Sequence, residues 1–90
     1  MPDRVKIDVE PRRFLALSEP YVCYSYFGYT AALLVFEKKT RREYEMLIGS
    51  KSLSDGLKRL VECNGEKFTG IDFWVWKESN DRRAKYIVEE

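Results

Sequence analysis

Residues 71–77 alternate so regularly that they read as a β-strand, with Ile71, Phe73 and Val75 on one face and Asp72, Trp74 and Trp76 on the other. The first set is enough to anchor a strand in a core. The second places two indoles on the face that a small sheet turns toward water. A 90-residue chain buries only about 60 to 65% of its unfolded surface, so the core is small and large rings outside it need their own explanation.

The rest of the chain extends this β pattern and interrupts it once. Val5, Ile7 and Val9 alternate with Lys6, Asp8 and Glu10, which predicts a half-buried edge strand ending at Pro11. Phe14 to Leu17 is a second short apolar piece before Ser18, Glu19 and Pro20. The two prolines leave one bent strand or an arm as alternatives for residues 1–20.

Residues 21–27 are aromatic and β-branched, Gly28 and Thr30 offer a turn or bulge, and the apolar run Ala31 to Phe36 follows. A basic loop (Lys38, Lys39, Thr40, Arg41, Arg42) leads into an alternating strand from Glu43 to Ile48. There Glu43 and Glu45 face water, and Tyr44, Met46 and Ile48 turn inward.

After Gly49 the period changes. Ser52 reads as a helix cap with Asp55 at the third helical position, and Leu53, Leu57, Leu60 and Val61 form one apolar stripe. Asn64 and Gly65 supply a left-handed stop. Gly56, inside the helix at a cost of about 1 kcal/mol relative to Ala, implies close packing against the sheet. The strand at 71–77, a polar loop and a strand from Lys85 to Glu89 form a closing hairpin. No repeat or linker divides the chain, so residues 1–90 form one domain, with 1–20 as an N-terminal strand or arm and 21–90 as the body.

The order β, β, β, α, β, β over Tyr21 to Glu90 resembles the OB-fold, a five-stranded, partly open antiparallel barrel with a helix between its third and fourth strands. The residues that carry the resemblance are the helix, the following Gly70, Ile71, Asp72, Phe73, Trp74, Val75 and Trp76, and the closing strand with Tyr86. It is similar in this respect to small single-stranded DNA-binding proteins of archaea and their viruses. The resemblance implies a mainly β domain with one helix and an oligonucleotide-binding face. The extra N-terminal strand also allows a flat antiparallel sheet backed by the helix.

Several classes of chemistry are disfavoured. The chain has no His, so no side chain is a ready proton shuttle near neutral pH, and neither Cys can pair with an imidazole base. Cys23 and Cys63 lack metal-ligand spacing and are expected as buried free thiols, with a disulfide between them as the alternative. No glycine pattern cradles a phosphate. An enzyme, a metal and a cofactor are therefore not expected. No apolar run approaches the roughly 20 residues that cross a bilayer, which makes the cytoplasm the default compartment. Charged residues make up 34% of the chain, Gln is absent and Asn occurs twice, a composition seen in hyperthermophile proteins.

With sixteen Lys and Arg against fifteen Asp and Glu, overall charge cannot hold a polyanion, so any anion site must be a local cluster. Two hairpin loops provide such clusters: Arg41 and Arg42 in one, and Arg82, Arg83 and Lys85 in the other. With thirteen aromatic residues in the chain, Trp74, Trp76, Tyr24 and Tyr26 are the expected base-stacking platforms. These residues together suggest single-stranded DNA or RNA binding with little sequence preference. The alternative is a protein-interaction or structural module whose aromatic face pairs with a second copy or a partner. Internal packing of the indoles and a carbohydrate ligand are further readings of the same rings.

Overall fold

The computed structural model describes residues 3–25 and 28–90. Its elements are β1 (Asp3–Arg4), β2 (Arg12–Ala16), β3 (Tyr21–Ser25), β4 (Gly28–Glu37), β5 (Arg42–Leu47), α1 (Lys51–Cys63), β6 (Asp72–Lys77) and β7 (Tyr86–Glu89). The protein is mainly β with one helix. Its seven strands form one mixed sheet in the order β1-β5-β4-β2-β6-β7, with β3 also paired to β4.

The sheet does not close into a barrel, since β7 pairs only with β6 and β1 only with β5 among the described residues. Nor is it wholly antiparallel, because β1 runs parallel to β5.

Residues 12–16 are central to the sheet. β2 pairs with β6 on one edge and with the second half of β4 on the other, and β3 continues along the first half of β4. The chain from Arg12 to Ser25 is thus one bent strand broken at 17–20, and the body of the domain begins near Arg12 instead of Tyr21. The break is pinned from two sides. Ser18 Oγ accepts from Leu34 N, and the Glu19 carboxylate accepts from Phe68 N, Thr69 N and Thr69 Oγ1. These donors hold the Glu19 carboxyl below its usual range.

The N-terminal alternation shows in burial more than in pairing. Val5 is half-buried, Ile7 buried and Val9 exposed, but only Asp3 and Arg4 are in the ladder. The segment after them crosses the end of the sheet to reach β2 and packs Ile7 into the core.

One face of the sheet and the helix stripe form that core. Phe14, Leu33, Val35, Met46, Phe73 and Val75 meet Leu53, Leu57 and Val61. Glu37 is only 3% exposed, and it is tolerated there because Arg12 binds it bidentately at 2.8 and 2.9 Å while Thr40 donates a third bond.

The helix begins two residues earlier than its sequence suggests. Ser50 is the N-cap residue and makes no side-chain cap bond. Ser52 Oγ is instead engaged with Ser50 Oγ and accepts from Tyr86 N, so the expected Ser52 and Asp55 capping pair does not form. At the other end Gly65 takes φ 65°, as the left-handed stop requires. Among the described residues no helix is long and apolar enough to cross a membrane.

Gly56 lies against β7, where an added Cβ would sit 2.8 Å from Val88 Cβ and Cγ2. Gly56→Ala is therefore expected to destabilise the protein by about 1 to 3 kcal/mol despite its better helix propensity. In a Val88→Ala background the same change should cost less, since the contact with Cγ2 is gone and only that with Cβ remains. Chemical denaturation of the four-member cycle measures the coupling, and an additive cycle would show that the contact does not matter.

Candidate functional site

A cleft of about 900 Å³ is bounded by the start of β4, the end of β5, the N-terminus of α1 and the β6–β7 loop. The twist of the sheet brings that loop round to the beginning of β4, although the two are far apart along the strand order. Tyr29, Lys51, Asp55, Arg82, Arg83, Lys85 and Tyr86 supply its polar and aromatic lining.

Local chemistry shapes each wall. In the β6–β7 loop, Asp81 accepts Arg83 N through its side chain at 3.0 Å and Ala84 N through its carbonyl at 3.1 Å, which fixes the turn that presents Arg82 and Arg83. Glu78 N donates to Lys85 O and closes the loop. Across the cleft, Tyr29 is 79% exposed and stands opposite Tyr24, itself 71% exposed, with ring centroids 5.5 Å apart in an edge-to-face arrangement. Lys51, Arg82, Arg83 and Lys85 are all exposed, and among the described residues none is in an ion pair. Asp55 is the sole carboxylate among the lining residues.

The sequence-predicted residues divide between two surfaces. Arg82, Arg83 and Lys85 line the cleft, and Tyr24 adjoins it through Tyr29. Tyr26 lies outside the described residues. Trp74 and Trp76 are elsewhere, on the sheet face turned away from the helix.

On that face Trp74 is 40% exposed, and the Arg13 guanidinium lies 5.9 Å from its ring centroid. Arg13 is held there by Asp72 at 2.7 and 3.0 Å, and Lys38 joins the same carboxylate at 3.0 Å. Trp76 is half-buried and pairs across strands with Ile87. Arg41 and Arg42 lie at the β4–β5 turn. Eight strand residues, about 26 Å, separate that turn from Tyr29.

The cysteines are both free, but only Cys23 is half-buried; Cys63, the last helical residue, is exposed, contrary to the burial expected of it. Among the described residues no three His, Cys, Asp or Glu side chains converge on a common point.

Sequence reasoning did not single out Tyr29, Lys51, Asp55 or Tyr86 as site residues. Tyr29 was within reach, since the pairing of β3 with β4 makes it the cross-strand partner of Tyr24. The other three depend on how the helix docks on β7. Compared with known proteins, the chain matches no family model, no curated protein and no solved structure.

Arg13 and then Lys38 hold the Asp72 carboxyl below its ordinary value. The network therefore contributes stability above the unfolded-state pKa and loses it as pH falls through the lower folded value. In a Trp76→Phe background, Trp74 emission should change in an acid transition below the ordinary Asp range, and Asp72→Asn should abolish that transition. An unchanged acid transition in Asp72→Asn would show that Asp72 does not govern the indole's surroundings.

Proposed function

We propose that the protein binds single-stranded nucleic acid, with little sequence preference, in the cleft between the β3–β4 hairpin and the β6–β7 loop. The observation that carries this reading is the convergence of four cations free of ion pairs with an exposed tyrosine on one cleft. Arg82, Arg83, Lys85 and Lys51 contact successive phosphates, and Tyr29, braced by the edge of Tyr24, supplies a flat platform for a base. A near-zero net charge does not oppose this, because the cations of the cleft are local and their potential is focused between its walls.

We read the strand order as that of an OB-fold opened along one seam. The bent β2–β3 segment serves as the first strand, followed by β4, β5, the helix, β6 and β7. OB-folds bind oligonucleotides and oligosaccharides against the second and third strands and the loops after the first and fourth strands. The corresponding parts here include the start of β4, the end of β5 and the β6–β7 loop, which bound the cleft. Arginine and lysine lining favours the nucleotide over the sugar ligand.

Anisotropy of a labelled oligo-dT tests this directly. Binding is expected at low salt, with log affinity falling against log salt by about 0.7 per phosphate contact. Replacing Arg82, Arg83 and Lys85 by Ala should flatten that slope, and Tyr29→Ala should cost about 1 to 3 kcal/mol. Trp74→Ala should change neither. Failure to bind at low salt would overturn the proposal.

A second reading is self-association through the other face. Leu15, Leu34, Phe36, Trp76 and Ile87 are half-buried there beside exposed Trp74, and α1 packs on the opposite side. Light scattering at rising concentration should then show a dimer that Trp74→Ala reduces to a monomer, and a monomer at every concentration would dismiss it.

A further inference from the structure

The cleft contains one side chain that works against a purely electrostatic role. Asp55 is exposed and lines the same concavity as Arg82, Arg83, Lys85 and Lys51. A carboxylate in that position repels phosphate, so it weakens any site built solely for a sugar-phosphate backbone. The helix gives it no structural role, since the first turn of α1 holds no acidic residue and no capping pair forms. Lys51 and Arg59, one turn away on either side, are within helical reach, yet Asp55 makes no ion pair with either.

We infer that Asp55 reads the base edge and gives the cleft a preference for guanine. This rests on the reading of the cleft as a single-strand site. An ionised carboxylate can only accept hydrogen bonds. Guanine offers two adjacent donors, N1–H and the N2 amino group, which two carboxylate oxygens can take together. Cytosine and adenine offer an amino group beside a ring-nitrogen acceptor. Thymine and uracil offer a single N3–H flanked by two carbonyl oxygens, which the carboxylate repels.

The placement suits this role. Tyr29, on the opposite wall, offers a ring for the base to lie on, while the cations of the β6–β7 loop hold the backbone. The result is a site with little preference among most strands but one favourable base position.

The test uses the full chain and two labelled strands, nine thymidines and the same strand with guanine at its three central positions. The guanine strand is expected to bind about tenfold more tightly, the size of one good bidentate base contact. Asp55→Asn should remove most of that gap. Asp55→Ala should also remove it and raise affinity for the all-thymine strand, since a charge repelling phosphate is gone. The thermal midpoint of each variant should remain near that of the parent, because the side chain is exposed and unpaired.

Equal binding of both strands by the parent protein would overturn the guanine preference while leaving the cleft reading intact. A gap that survives Asp55→Asn would overturn the role of Asp55. Failure of both strands to bind would remove the cleft reading and this inference with it.

Discussion

Five residues, Arg12 to Ala16, tie the molecule together. β2 is hydrogen-bonded along both edges, to β4 on one side and β6 on the other, and among the described residues it is the sole ladder joining the β1-β5-β4-β3 part of the sheet to the β6–β7 hairpin. Phe14 is at its centre, fully buried, 6.2 Å from the Phe73 ring and edge-on to Tyr44 at 6.4 Å. Arg12 anchors one end on buried Glu37, and past the other end Glu19 clamps the loop before β6. Removing one member of the Arg12 and Glu37 pair leaves the other charge short of water, a loss of about 3 to 5 kcal/mol in comparable buried pairs.

The cleft follows from this arrangement. Because β2 bends into β3, the first half of β4 pairs with β3, which sets Tyr24 opposite Tyr29. Because β2 also holds β6, the β6–β7 loop swings round to face that hairpin across the start of the helix. Cations that are thirty residues or more apart in sequence, Lys51 and the Arg82, Arg83 and Lys85 group, thereby share one concavity. Asp55 is the one carboxylate among the lining residues. Glu37, Glu45 and Asp72 each hold an arginine on other parts of the molecule.

Much of the fold was legible because burial on one face leaves a periodic trace. The inward sets Phe73 and Val75, Tyr44 and Met46, and Leu53, Leu57 and Val61 all fall where period-two and helical spacing put them. Strand ends differ from the sequence reading by one to three residues at several points, as at β4, where Gly28 is a paired strand residue at φ 100° instead of a turn outside the ladder. The helix start was misjudged because Ser50 and Ser52 are both competent caps, and Tyr86 N recruits Ser52 from outside the helix. That competitor lies 34 residues away and leaves no local mark.

Taken alone, the amino-acid pattern determined a single mainly β domain with one amphipathic helix, two basic loops and indoles on an outward strand face. These are properties of nearest and alternate neighbours, and side-chain period expresses them directly. The tertiary structure alone decided that the sheet stays open, that β2 lies at its centre, and that the indoles and the tyrosines serve opposite surfaces. It also placed Asp55 among the cations. Those outcomes depend on which distant strands share hydrogen bonds and how far the sheet twists, quantities set by long-range packing that no local spacing encodes.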